Sequence, residues 1–329
     1  MIITRTPFRV SFCGGGSDLP SFYTKHGGCV LSAAINKYMY LLIHPYFDSS
    51  TTILKYSKTE IVSDYSQIEH RYFRAILEEF DIKGVELTSI ADIPSGTGLG
   101  SSSSFLVGLL HSIYSYRGKF VSREKLARQA CHYEINVIGM PIGKQDQYAA
   151  ACGGLNFYRF NKDGSVFVEP VIISAEKRRQ LEENLMLFYI GNIHDSAAIL
   201  FEQQKNISEG ERERSQLEMC SLALELKIRL EEGDLDAAGE LMHKNWLMKR
   251  TLASGISSAI IDEKYELALS LGATGGKLLG AGGGGFMLFY VPKEKQQALR
   301  EGLGLKQLPF SFDMQGSSVI YVGERPDTL

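Results

Sequence analysis

Apolar and polar positions alternate or cluster in a way that divides the chain into short strands and helices. The opening Ile2 to Phe12 has strand character, broken by Cys13-Gly14-Gly15-Gly16-Ser17-Asp18. A second extended stretch covers about 28–47, with Val30, Leu31, Tyr38, Tyr40, Leu42 and Ile43 as its apolar positions, and a third covers 52–57. Ile68, Tyr72, Ala75, Ile76 and Phe80 recur at helical spacing and predict an amphipathic helix over 66–80. Val85, Leu87 and Ser89 then alternate with Glu86 and Thr88, as a half-buried strand should. That strand runs through a loop, Pro94 to Ser104, into an apolar helix over 105–116. A further helix starts at Ser122, a reasonable N-cap, and carries Leu126, Ala130, Tyr133 and Val137. Two strands follow at 155–160 and 166–171, joined by the turn Asn161 to Gly164.

Beyond about 175 the texture changes. Residues 176–184 are highly charged and read as a linker or connecting helix, and 185–191 as a buried strand. Helical patterns cover 211–232, 234–252 and 257–271. A glycine loop then feeds the buried strand Phe286 to Val291. A short helix and β-like segments at 306–313 and 317–322 close the chain. No internal repeat is visible. Mixed strands and helices of this kind read as α+β in two domains, 1–178 and 179–329.

Composition narrows the function. An apolar fraction of 44% and a charged fraction of 22% suit a packed globular chain and exclude global disorder. Lys and Arg total 35 against 38 Asp and Glu, a net charge of −3, so no cationic excess favours a nucleic-acid partner. No stretch approaches the ~20 apolar residues of a membrane span, and no secretory leader is recognised at the start. Five scattered cysteines, Cys13, Cys29, Cys131, Cys152 and Cys220, form no C-x-x-C, which disfavours a disulfide framework or structural zinc. A cytoplasmic location is expected. His26, His132 and His243 show no metal spacing, and Trp246 reads as core.

Glycine is the abnormal residue, at 33 of 329, and its clusters carry the candidate chemistry. Pro94-Ser95-Gly96-Thr97-Gly98-Leu99-Gly100-Ser101-Ser102-Ser103-Ser104 lies between a predicted strand and a predicted helix. A helix start presents unpaired N–H groups to an anion, and glycines let the backbone approach a phosphate. The loop has no Lys, so it is no Walker A sequence, and Ser101 stands where a dinucleotide fingerprint needs its third glycine. The second cluster is Gly280-Ala281-Gly282-Gly283-Gly284-Gly285 and the third Arg9 to Asp18. A fourth feature, Gly143-Lys144-Gln145-Asp146-Gln147, follows Glu134 and offers carboxylates for proton handling and for a hard cation.

In order and spacing these features resemble the GHMP kinase superfamily over nearly the whole chain. Pro7-Phe8-Arg9-Val10 through Asp18, Pro94 to Ser102, and Gly280 to Phe286 match its three motifs, with an intervening G-x-x-D-Q. Within it the chain is most similar to D-glycero-D-manno-heptose 7-phosphate kinases, with L-fucose kinases as near relatives. The resemblance implies a ribosomal-protein-S5-like N-terminal domain that binds ATP and a ferredoxin-like C-terminal domain. It implies a cytoplasmic sugar kinase acting on the anomeric hydroxyl of the heptose phosphate, with ATP and Mg²⁺ and a possible homodimer. A kinase for L-fucose or another sugar is the alternative, and a catalytically silent sugar-binding protein the alternative of another class. It further implies that Gly96, Gly98, Leu99, Gly100, Ser101, Ser102 and Ser103 meet the ATP phosphates, and that Ser102 and Glu134 ligate Mg²⁺. Asp146 is the implied catalytic carboxylate, with Arg9 beside it. Gly15, Gly16, Ser17, Asp18, Lys144, Gly283 and Gly284 are implied on the sugar side. Lys144, Lys249, Arg250 and Lys277 are candidates to meet a phosphate carried by the sugar.

Overall fold

A computed structural model describes residues 1–191, 196–206 and 210–323. In chain order the strands are β1 (Ile2–Cys13), β2 (Gly28–Pro45), β3 (Thr52–Lys55), β4 (Thr59–Val62), β5 (Val85–Ala91), β6 (Leu155–Phe160), β7 (Val166–Pro170), β8 (Leu185–Gly191), β9 (Gly275–Leu278), β10 (Gly285–Tyr290), β11 (Lys306–Gln307) and β12 (Ser318–Val322). The helices are α1 (Pro20–His26), α2 (Arg71–Glu79), α3 (Ser101–Tyr116), α4 (Arg123–Cys131), α5 (Gln145–Cys152), α6 (Ala175–Asn184), α7 (Ser196–Asn206), α8 (Gly210–Glu231), α9 (Ala237–Lys249), α10 (Ala259–Ser270) and α11 (Gln296–Leu303).

Two sheets organise them. The first has the order β12-β1-β2-β5-β3-β4, with β6 joining β2 and β7 joining β6. Among the described strands of this sheet, β3 and β5 alone run parallel. Strand β2 is long enough to serve two partners on one side: Gly28 to Ala33 pair with β6 and Met39 to Pro45 with β5. Its second half alternates Met39, Leu41 and Ile43 inward with Tyr40 and Leu42 half exposed, the period of a sheet with one packed face. Helices α3 and α5 lie against β1 and β2, and α4 against α5. The second sheet, β11-β8-β10-β9, is antiparallel. Its core is built around Phe188, Trp246, Tyr265 and Phe289.

The α+β architecture expected from the sequence is the one observed. The expected second domain is not self-contained, however. Its last strand, β12, pairs with β1 in the first sheet, and Leu222, Leu226, Leu241 and Met242 of α8 and α9 join the first core. Residues 192–195, 207–209 and 324–329 of that stretch lie outside the described residues. The helix expected over 66–80 is shorter, because Glu60 accepts the backbone N–H groups of Glu69 (2.7 Å) and His70 (3.2 Å) and draws that backbone out of register. Only a 3₁₀ turn, Tyr65–Gln67, capped by Asp64, precedes it. The helix from Ser122 ends at Cys131 and continues as a π-helical turn, His132–Val137. Among the described residues no helix is long and apolar enough to cross a membrane.

Candidate active site

A cavity of about 280 Å³ opens where β1, the N-terminus of α3 and the N-terminus of α5 face α7, α9 and the loop before β10. Helix α3 starts at Gly100 without a side-chain cap, so its first N–H groups point into this space. Such an end attracts an anion.

Asp146 stands in the first turn of α5 and meets Arg9 from the middle of β1. The guanidinium donates from Nε to Oδ1 and from Nη2 to Oδ2, both at 2.8 Å, while Nη1 donates to the carbonyl of Gly98 (2.6 Å). This fork fixes the carboxylate plane and ties it to the glycine loop. The Arg9 side chain is nearly buried, whereas Asp146 keeps a face toward the cavity.

Glu134 lies on the π-helical turn, a backbone irregularity common at functional sites. Ser102 and Tyr72 donate to its Oε1 at 2.8 and 2.9 Å, and Ser103 and Gln147 to its Oε2 at 2.8 and 2.7 Å. Burial raises its carboxyl above the usual glutamate range, and the four hydrogen bonds oppose that rise. Among the described residues no cluster of three or more His, Cys, Asp and Glu side chains could cage a metal. One carboxylate and one hydroxyl, 2.8 Å apart, are instead the kind of oxygen donors a hard cation would take.

Asp18 is buried beside them. Gly16 N–H donates to Oδ1 (3.0 Å) and Gln145 N–H to Oδ2 (3.1 Å), while desolvation raises its carboxyl. Gly143 makes room for it: a Cβ there would lie 1.9 Å from Oδ2. Gln145 lines the same wall, and its buried Nε2 has no partner among the described residues. The glycine turn carrying Asp18 is braced from the second half of the chain. Gly14 N–H donates to Asn245 Oδ1 (3.0 Å), and Gln216 donates to the carbonyls of Gly14 and Gly15 at 3.3 and 3.4 Å.

The two other glycine loops touch. Gly98 and Gly280 both have positive φ, and a Cβ on Gly280 would sit 2.5 Å from the Gly98 Cα. This contact places Gly280 and Ala281 on the cavity wall, but not Gly283 and Gly284. Gly283 is turned away, its N–H bonded to the carbonyl of Ile256 (3.1 Å). Ser17 also departs from expectation: its hydroxyl bridges the backbone of Cys29, donating to the carbonyl (2.9 Å) and accepting from the N–H (3.0 Å). The Leu99 side chain is in the core, and its carbonyl accepts from Arg9 N–H (3.1 Å). Gly15, Gly16, Gly96, Gly98, Gly100, Ser101, Ser102 and Ser103 all line the cavity, together with Arg9, Asp18, Glu134 and Asp146.

The four candidate cations separate. Lys144 donates to the carbonyl of Gly164 and lies over the Tyr23 ring, away from the cavity. Arg250 bonds Asp262 (3.4 Å). Lys277 is buried on β9, and desolvation lowers its ammonium to about 8. Lys249 alone of the four lines the cavity, its ammonium donating to the carbonyl of Gly280. The sequence reading did not single out Ser11, Tyr72, Met140, Ile142, Gln145, Leu200 or Gln203. Their neighbours in the chain marked only Ser11, inside the Arg9 to Asp18 cluster, and Gln145, beside Asp146.

Residues 67–154 match the GHMP kinases N terminal domain and residues 226–307 the GHMP kinases C terminal domain. A D-glycero-alpha-D-manno-heptose 7-phosphate kinase of Campylobacter jejuni is 30% identical, over 96% of this chain and 97% of its own. A bifunctional fucokinase/GDP-fucose pyrophosphorylase of Arabidopsis thaliana is 26% identical over 90% of this chain, which spans 30% of that longer protein. Among solved structures, a D-glycero-D-manno-heptose 1-phosphate kinase from Bacteroides thetaiotaomicron superposes with a TM-score of 0.80 at 24% identity, covering 98% of this chain and 100% of that one.

Proposed function

Given that the chain belongs to the GHMP kinases, ATP-dependent phosphotransferases with an alcohol acceptor, we propose that it phosphorylates the anomeric hydroxyl of D-glycero-D-manno-heptose 7-phosphate. The observation that carries the chemistry is the Arg9–Asp146 fork set against the uncapped start of α3. The choice of heptose is supported by the Campylobacter jejuni relative, similar along its whole length.

In this reading the glycines at 96, 98 and 100 and the N–H groups at the start of α3 hold the ATP phosphates. Ser102 and Glu134 hold Mg²⁺, which offsets negative charge on the phosphate oxygens. Arg9 occupies one lone pair on each Asp146 oxygen, leaving acceptor capacity directed at the cavity. Asp146 orients the attacking hydroxyl and takes its proton as the new O–P bond forms. Asp18, with both oxygens already positioned by backbone N–H groups, accepts from sugar hydroxyls, and Gln145 Nε2 supplies a donor beside it.

The test is ADP release with Mg·ATP across a panel of the heptose 7-phosphate, its unphosphorylated analogue, L-fucose, galactose and mannose. Turnover restricted to the 7-phosphate is expected. Turnover with L-fucose or a free hexose, and none with the 7-phosphate, would overturn the acceptor and leave the phosphotransfer chemistry standing.

A further inference from the structure

Lys249 ends α9 and reaches the cavity from the half of the molecule opposite the phosphate-binding loop. An ammonium has three N–H donors. One goes to the Gly280 carbonyl, and among the described residues no carboxylate pairs with it. Its surroundings are unfavourable for a bare cation. Burial, then the charges of Lys277 and Arg9, push its acidity up, and Asp18 and Asp146 offset this only in part. Both carboxylates are otherwise engaged, Asp146 by the Arg9 fork and Asp18 by two backbone N–H groups. Arg9 and Lys249 are thus the two buried cations on the cavity wall, and an anion in the cavity would satisfy the N–H donors that Lys249 leaves open there.

The position of that anion follows from the glycine contact. Lys249 holds the carbonyl of Gly280, Arg9 holds the carbonyl of Gly98, and these two glycines touch. Lys249 and Arg9 thus each hold one carbonyl of a single backbone junction, beside the carboxylate that faces the attacking hydroxyl. A phosphate at the far end of an acceptor would lie away from this junction.

We propose that Lys249 is a catalytic residue that contacts the terminal phosphoryl group of ATP during transfer. The inference rests on the kinase reading but not on the choice of sugar. The bond from the terminal phosphorus to the bridging oxygen breaks, leaving ADP with that oxygen. A bond from phosphorus to the acceptor oxygen forms, and the hydroxyl proton passes to Asp146. Lys249 donates hydrogen bonds to non-bridging oxygens throughout and exchanges no proton.

The test uses the full chain with Lys249→Met, which keeps length and removes charge, and Lys249→Arg, which keeps charge. Calorimetric binding of Mg·ADP and of a non-hydrolysable Mg·ATP analogue is measured without acceptor, and turnover is measured separately. Loss of a charged hydrogen bond predicts roughly tenfold or more weaker binding of the triphosphate to Lys249→Met, with ADP binding unchanged. The same variant should lose kcat at unchanged acceptor KM, and Lys249→Arg should recover part of it. Equal loss for both nucleotides would assign Lys249 to bracing the Gly280 loop and overturn the proposal. A rise in acceptor KM alone would make it a reader of the acceptor's own phosphate and also overturn it, as would no change at all. If the parent phosphorylates none of the sugars, the substrate reading fails, while the comparison of nucleotides still decides Lys249. A parent that binds neither nucleotide overturns both.

Discussion

Arg9 holds both carboxylate oxygens of Asp146 at 2.8 Å, joining the middle of β1 to the first turn of α5 across 137 positions of sequence. The same guanidinium ties the pair to the Gly98 carbonyl. Asp146→Asn keeps the shape, removes the proton acceptor and replaces one accepting oxygen with a donor facing Arg9. It should lower kcat by roughly 10²–10⁴-fold, with ATP binding unchanged. Arg9→Lys retains charge but loses the two-pronged grip, so kcat should fall with it despite the conservative change. Steady-state kinetics with calorimetric ATP binding checks both. Undiminished kcat in Asp146→Asn would remove Asp146 from proton handling.

Glu134 and Asp18 make the empty protein sensitive to pH. Desolvation raises both carboxyls in the fold, from ordinary values of 4.5 and 3.8. The folded state therefore binds protons more tightly than the unfolded chain. The stability this contributes is fully present below the ordinary values and is lost as pH rises through the raised ones. Without nucleotide and metal, the thermal midpoint should fall as pH rises above the ordinary carboxylate values. Glu134→Gln should flatten that slope, with an amide flip of Gln147 offering its unpartnered Oε1 to the new amide. Saturating Mg·ADP should reduce the slope in the parent, since a bound cation favours the ionised carboxylate. Identical slopes in parent and variant would show that Glu134 does not contribute.

Much of this site was legible because its parts are continuous in sequence. The loop from Pro94 to Ser104, the turn ending at Asp18 and the G-x-x-D-Q stretch each deliver several cavity residues together. What a continuous motif cannot reveal is which members turn inward. Ser17, Leu99 and Gly283 sit within motifs yet serve the backbone or the core. Helix α5 went unseen because Ala149, Ala150 and Ala151 are all buried, leaving no polar face to give a helical period. The return of β12 to β1 is a long-range pairing that local patterning does not encode. Lys249 was one cation among four, and only tertiary packing separated it from Lys144, whose ammonium is held by the Gly164 carbonyl.

Gly143 offers a way to disturb the acceptor side alone. A methyl group there would lie 1.9 Å from Asp18 Oδ2 and 2.2 Å from its Cγ, so the carboxylate must move. Displacing it breaks the bond from Gln145 N–H and shifts the first turn of α5. Gly143→Ala should raise the acceptor KM and lower kcat while leaving Mg·ADP affinity intact, because the three atoms nearest the added methyl all belong to Asp18. Initial-rate kinetics paired with ADP titration separates the two. A loss of ADP affinity matching the loss of turnover would contradict the placement of Asp18 on the acceptor side.

Tyr72 lies outside every motif but completes the oxygen cluster at the proposed cation. Its hydroxyl donates to Glu134 Oε1 (2.9 Å) and lies 2.6 Å from Ser102 Oγ. Burial pushes the phenol further up, so it stays a donor at all working pH values. Tyr72→Phe removes that hydroxyl and keeps the ring, which packs near His70 and Phe105 with centroids at 5.8 and 6.1 Å. Fold stability should therefore change little. Glu134 would keep its bonds from Ser102, Ser103 and Gln147, but Oε1 and the Ser102 hydroxyl would lose the group that orients them together. Supporting contacts of this kind are worth roughly 10–100-fold in metal affinity. The Mg²⁺ concentration for half-maximal activity should rise by that order, with kcat restored at saturating Mg²⁺. An unchanged Mg²⁺ dependence, or a loss that added Mg²⁺ cannot recover, would remove Ser102 and Glu134 as the cation's ligands.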